Sequence, residues 1–472
     1  MFKHSPLSLV ICAAAAMAIS GCAYMAPDYE RPVAPVSANW PQQAGIDNMA
    51  TNKAAVPQDW RIFFPDLRLQ AMIATALEHN RDMKIAVSRV EEARSLYGIQ
   101  RADQVPNINV GVSGTESRIP AAVSATKAQQ TTRRVDANMG LLAFELDFWG
   151  RVASLSNAAK ASYLASEAAQ RAFRLSLIAD VADGYLSLKE ADERSTLAQS
   201  TVKARQESLL LLEKRRDVGL ASDSDYLQAK GAYDSARAEL AALERQKGLA
   251  ENLLRVLVGL DRSDWPEGKS LIDQGLQMDL AAGIPSEVLL RRPDILSAEQ
   301  RLIASNANIG AARAAFFPRI SIVGSYGSAS PELSGLFDAG TTAWTFTPSI
   351  SLPIFSGGRN VANLDLAQAR KVIAIAEYER VIQQAFREVS DGLVARASLI
   401  EQTKALQEYE QSQQQRLTLA QARYEHGVAS YLEVLDAQRD LFLAQQSLIQ
   451  TRRALLSAVA RLYKALGGGL EG

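Results

Sequence analysis

Cysteine is almost missing from this chain: among 472 residues only Cys12 and Cys22 occur. Both precede residue 23, so no disulfide framework holds the body together, whatever the redox state of its compartment. Histidine is equally sparse. His4, His79 and His426 lie far apart, without the spacing of a metal site, and no metal or bound cofactor is expected. Net charge is −1, from 51 basic and 52 acidic side chains, which leaves no basic field to hold nucleic acid as a partner. No apolar run reaches the roughly 18 residues of a spanning helix. No Gly-x-x-x-x-Gly-Lys-Ser/Thr loop is present to cradle a phosphate, so any energy must come from another protein. Proline is absent between Pro120 and Pro266 and again after Pro353. Those gaps leave space for long uninterrupted helices.

The N-terminus is different. Lys3 and His4 precede "LSLVICAAAAMAIS", which is too short to span a bilayer but right for a secretory signal peptide over residues 1–21. "ISGC" (Ile19–Cys22) then sets a cysteine directly after a small-residue cleavage pattern. It resembles the bacterial lipobox, which implies that Cys22 becomes the first mature residue and carries a diacylglycerol and an N-acyl lipid such as palmitate. An incidental cysteine behind an ordinary signal is the bland alternative. Each buried methylene is worth roughly 0.8 kcal/mol, so several acyl chains together tether a protein firmly. Ala23 is not acidic, which by the same resemblance suits delivery to the outer membrane. The prolines of "APDYERPVAPVSANWP" predict a strap without helix, and residues 22–60 are read as a lipid-anchored extended segment.

The rest of the chain says the same thing twice. "GIQRADQVP" (Gly98–Pro106) returns as "GAARAAFFP" (Gly310–Pro318), Gly150-Arg151 as Gly358-Arg359, and Asp183-Gly184 as Asp391-Gly392. "RDVGLASDSDYLQA" (216–229) returns as "YEHGVASYLEVLDA" (424–437). Landmarks in one order at one offset mean an internal duplication. The first repeat is 61–259, the second 291–467, with a connector at 260–290 and a tail at 468–472. In each half a helix-compatible run, 151–218 and 359–426, would be about 100 Å long. Gly184 and Gly392 interrupt these runs at a cost of about 1 kcal/mol each, which suggests bending or close packing. Gly219 and Gly427 suit the left-handed position just past a helix end. Ser222 and Ser430 suit the start of the next helix, with Ser430-x-x-Glu433 the stronger capping box and Ser222-x-x-Asp225 the weaker. Both copies therefore read as tight helix–turn–helix tips. Val434, Leu441, Leu448, Leu455 and Leu462 recur every seven residues, the period of a left-handed coiled coil.

Each half also holds two short alternating stretches, "NINVGVSG" with "LLAFELDF", and "RISIVGSYGS" with "TFTPSISLPIF". Period two with one apolar face predicts half-buried strands, joined by polar loops at about 118–130 and 329–341. In "LLAFELDF", Leu142, Phe144, Leu146 and Phe148 are expected on one face. Four strands cannot close a barrel, since single-chain membrane barrels start at about eight. Either the sheet packs on its own helices or several copies pool their strands.

The stretches "GCAYMAPDYERPVAP", "LLRRPDILSAEQRLIASNANIGAARAAFFP", "FELDFWGR", "YLEVLDAQRDLF" and "LYKALGGG" resemble the TolC/OprM-type outer membrane factors, nearest the lipid-anchored OprM-like branch. The resemblance implies an α+β membrane protein: a homotrimer whose twelve-stranded outer-membrane β-barrel, four strands per chain, continues as a long α-helical barrel into the periplasm. A mixed equatorial region around 260–290 would belt it. The implied role is the exit duct of a tripartite efflux system, with a periplasmic adaptor and an inner-membrane pump of the resistance-nodulation-division type as partners. Drugs are the expected cargo, with metal ions or another exported solute as the alternative.

Leu432 and Asp436, four apart, share one face of the returning helix at its tip. Their first-copy counterparts are Ser224 and Gln228. Threefold symmetry would turn the pair into a leucine ring, which resists wetting, above a carboxylate ring, which favours cations. The resemblance supports this gate, because the matching residues close the duct in OprM-like proteins. Arg423, Tyr424 and Arg439 are candidate latch residues. The bland reading makes Asp436 and Arg439 an ordinary i,i+3 pair and Leu432 interhelical packing. An enzyme is not expected: Ser124-Ala-Thr-Lys127 matches S-x-x-K, but no K-T-G follows. A coiled-coil scaffold lipoprotein would leave the strands unexplained.

Overall fold

The computed structural model describes residues 25–37, 40, 59–276, 289–290 and 292–468. The signal segment, Cys22 and parts of the 260–290 connector and of the tail lie outside the described residues. The described residues divide into two compact units: those within 1–33, 89–167 and 297–378 form one, and those within 34–88, 168–296 and 379–472 the other. The described helices are α1 (Trp60–Phe63), α2 (Leu67–His79), α3 (Arg81–Ala102), α4 (Arg151–Asp217), α5 (Asp223–Val258), α6 (Pro293–Ala314), α7 (Arg359–Glu425) and α8 (Tyr431–Ala465). As the proline-free gaps predict, α4 and α7 each run 67 residues without a break.

The first unit contains the sheet. Strands β1 (Ile108–Ile119), β2 (Gln130–Leu146), β3 (Arg319–Ser330) and β4 (Thr342–Ser351) lie antiparallel in the order β1-β2-β3-β4. The two halves of the duplication thus meet at β2–β3, and β1 and β4 are edges. Residues directly opposite one another share a face. Val110, Met139, Tyr326 and Trp344 make one row across all four strands, and Ile108, Leu141, Gly324 and Phe346 make the next. The alternate rows, Asn109–Gly140–Ser325–Thr345 and Gly111–Asn138–Gly327–Ala343, are polar or small. One face is therefore apolar and the other hydrophilic. Strict alternation fails at one place. Leu142 and Ala143 form a bulge where the register slips between Leu141 and Phe144, with Ala143 at a left-handed φ of 34°. The extra residue resets the period of two, so Leu141 rather than Leu142 shares the face of Phe144 and Leu146.

In the same unit residues 25–31 run without helix or strand along α6. Arg313 donates to the Met25 carbonyl at 3.3 Å and Asn306 to that of Pro27 at 2.7 Å. Tyr29 and Arg31 both donate to the buried carboxylate of Glu299, at 3.0 and 2.7 Å. As the strap numbers rise the α6 numbers fall, so Met25 lies nearest the end of α6 that leads into β3.

In the second unit the duplication is visible in the packing. Asn80 donates to the carbonyl of Leu257 at 2.9 Å, and its repeat-equivalent Arg292 donates to that of Ala465 at 2.8 Å. In each half, the end of the returning helix (α5, α8) is thereby fastened to the residue that precedes the other short helix (α3, α6). The mid-helix glycines have matching reasons. A Cβ on Gly184 would come within 3.1 Å of Leu254, and one on Gly392 within 3.1 Å of Leu462. Both positions are places of close packing against a leucine of the returning helix. The heptad rows of α8, including Val434, Leu441, Leu448, Leu455 and Leu462, are buried. Asp66, fully buried, caps α2 and also accepts from Tyr185, the Lys269 amide and Gln274 at 2.8, 2.9 and 3.0 Å.

Candidate functional site: the helix tips

The two turns close in one way. Gly219 and Gly427 take φ of 75° and 71°, where a Cβ would be strained. The amides of Gly219 and Leu220 donate to the carbonyls of Arg216 and Arg215, and those of Gly427 and Val428 to Tyr424 and Arg423. That double bond pattern is a Schellman motif, which satisfies carbonyls left free at a helix end. The capping boxes reverse the expected ranking. Ser222 and Asp225 form the reciprocal box at α5, whereas Ser430 makes no side-chain cap at α8. The Glu433 carboxylate is instead held by Arg423 at 3.2 Å.

Behind the turns Leu212, Ala229, Ala420, Tyr431, Val434 and Ala437 make a small buried core joining α4, α5, α7 and α8. Tyr424 meets Tyr431 edge to face at 5.2 Å. Arg215 donates to the Tyr424 hydroxyl at 2.5 Å and lies over its ring. Arg416 reaches Asp440 at 2.7 Å. Hydrogen bonds from Arg416, and further ones from Arg439, hold the Asp440 carboxyl below its usual range. Arg205 is buried with its guanidinium on the Ala232 carbonyl at 2.8 Å, and burial lowers its pKa.

Leu432 and Asp436 do not join that core. Leu432 is 45% exposed and the Asp436 side chain 39%. Asp436 does form the i,i+3 pair with Arg439, at 3.1 Å. A half-exposed pair of this kind adds little to stability. The counterparts Ser224 and Gln228 are exposed and face each other at 3.5 Å. Of the candidate latch residues, Arg423 clasps α8 through Glu433, Tyr424 joins α7 to α4 through Arg215, and Arg439 stays on its own helix between Asp436 and Asp440. Sequence reasoning missed Arg215, the Arg423–Glu433 pairing and the Arg416–Asp440 pair. A signal existed: Arg416 and Asp440, like Arg423 and Glu433, are opposite charges equally far from Val428 along the hairpin.

Away from the tips, Ser124 lies in the loop between β1 and β2 with its hydroxyl 2.9 Å from that of Thr126. Among the described residues no group of three His, Cys, Asp or Glu is placed to hold a metal ion. No described helix is long and apolar enough to cross a membrane.

The pattern of the family described as "Outer membrane efflux protein" matches residues 72–260 and again 284–468. The chain belongs to that family. The two matched segments overlap the two repeats read from the sequence. This efflux protein is 45% identical to the outer membrane protein OprJ of Pseudomonas aeruginosa over 97% of its own length and 95% of the relative's. It is 43% identical to the toluene efflux pump outer membrane protein TtgF of Pseudomonas putida, over 97% and 96%. The open-state crystal structure of the MtrE outer membrane channel of Neisseria gonorrhoeae superposes with a TM-score of 0.86 at 37% identity, covering 95% of this chain and 99% of that one. The efflux protein is accordingly a protein of the outer membrane that extends into the periplasm, and it serves as the exit duct of a tripartite efflux system.

Proposed function

We propose that the duct is a homotrimer: a twelve-stranded barrel, four strands from each copy, continued by a helical barrel and gated at the periplasmic tips by Leu432 and Asp436. The observation that carries this reading is the sheet, which has one apolar face and two unpaired edges. An open edge offers a row of free amides and carbonyls, and in a bilayer each must find a partner. Pairing β4 of one copy with β1 of the next supplies them. From Trp344 to Leu352, both exposed, the apolar face spans roughly 26 Å at 3.3 Å per residue, close to the ~25 Å band of outer-membrane barrels. The hydrophilic face then lines water.

Lipidation of Cys22 is supported by the strap, because Met25, three residues on, lies at the sheet end of α6. The periplasmic adaptor is supported by the exposed Val218, Leu220 and Val428 at the turns, and a resistance-nodulation-division pump is its partner in the inner membrane. Drugs or other toxic small molecules are the cargo. The gate is supported by exposure: Leu432 and Asp436 turn away from their own chain's core and meet their copies on the axis. Leu432→Ala with Asp436→Ala should raise single-channel conductance in planar bilayers several-fold. Unchanged conductance in channels that still insert removes the gate.

A further inference from the structure

We infer that one self-neutralising pair, Arg134 and Asp136, governs which sign of charge leaves through the outer end of the duct. Both lie on the hydrophilic face of β2, opposite Thr115 and Ser113 of β1. They sit toward the turns that join the strands, the end remote from the helices. Arg134 grips Asp136 through three hydrogen bonds of 2.7 to 2.9 Å. Below them, as far as Glu145, that face carries no other charged strand residue. Its hydroxyls satisfy one another across the sheet, as in Ser321–Ser349 at 2.8 Å and Ser325–Thr345 at 2.7 Å. The neighbouring Arg133 and Glu116 pair at 3.1 Å on the apolar face. Lys127, Glu332 and Asp338 lie in the turns beyond the strands.

The inference rests on the closed-trimer reading. Twelve tilted strands about 4.8 Å apart give a wall roughly 12 Å from the axis. At 10 mM salt the Debye length is about 30 Å, so charge on that wall acts across the whole opening. Intact, each pair cancels, and anions and cations leave with little bias. Arg134→Gln would leave three carboxylates around the mouth. Asp136→Asn would leave three guanidiniums.

The test is the reversal potential of the full-length protein in planar bilayers under a 10:100 mM KCl gradient. Arg134→Gln should raise the potassium-to-chloride permeability ratio roughly three- to tenfold, and Asp136→Asn should lower it by as much, by Coulomb's law with screening between the ~100 mM and ~10 mM limits. The double variant should return to the wild-type ratio, which a general folding defect would not do. Arg133→Gln, on the lipid-facing side, should leave the ratio unchanged. Conducting channels whose ratio ignores both single substitutions, or follows Arg133→Gln as strongly, overturn the assignment and leave the duct intact. A wild-type protein that never conducts overturns the duct reading, and this inference with it.

Discussion

Three polar contacts tie separate helices together at the tips: Arg416–Asp440, Arg423–Glu433 and Arg215–Tyr424. None of them should open the gate when lost alone. In the two ion pairs the side chains are partly exposed, 47% against 24% and 47% against 41%, and such pairs are worth roughly 0.2–1 kcal/mol. One kcal/mol is about a fivefold change in an equilibrium. A tip closed about 99 parts in 100 would then stay about 95% closed after one substitution. Removing all three contacts subtracts up to about 3 kcal/mol, a shift of roughly 150-fold, which takes the same tip to mostly open. The assay is single-channel conductance of Arg416→Ala, Arg423→Ala and Arg215→Ala, separately and combined. Singles near wild type with a several-fold larger triple is the expected pattern. A single variant that conducts like the triple, or a triple that stays closed, would refute the reasoning, and the apolar core behind the turns would then hold the gate.

Asp66→Ala takes the acceptor from the buried Tyr185 hydroxyl and from the Lys269 amide, removes one of the three acceptors of Gln274, and deletes a helix cap. Each stranded donor costs about 1–3 kcal/mol before water relieves it, so amide exchange around Lys269 should accelerate about 100-fold; unaltered exchange refutes this. Burial pushes the Asp66 carboxyl up, but hydrogen bonds from Tyr185, Lys269, Gln274 and Leu69 outweigh it and hold its pKa below the usual carboxylate range. Its stabilisation is therefore full above about pH 4 and fades as pH falls through the lowered value, which the same exchange measurement at pH 5 and pH 3 should follow. Labelled palmitate should enter the wild-type protein and not Cys22→Ser, and label retained by the variant would exclude the anchor.

Much of the architecture is legible because its signals are local or periodic. A glycine at a helix end, a proline-free run and a seven-residue repeat each describe one element, and a repeat at constant offset describes two halves at once. Ser430 misled because capping is also local, while the partner that takes Glu433 arrives from the other arm of the hairpin. Leu142 misled because one inserted residue inverts every face after it, and only pairing with β3 reveals the insertion. Asp66 gave no signal, since three of its donors lie more than a hundred residues away.

By itself the amino-acid sequence determined the duplication, the long helices, the paired turns and the strands too few to close a pore. Tertiary structure alone decided which residues share a face, which charges cancel, and which leucines pack against Gly184 and Gly392. The physical reason is distance along the chain. Backbone preferences act within a turn or two, whereas hydrogen-bond register and packing join residues that only folding brings together.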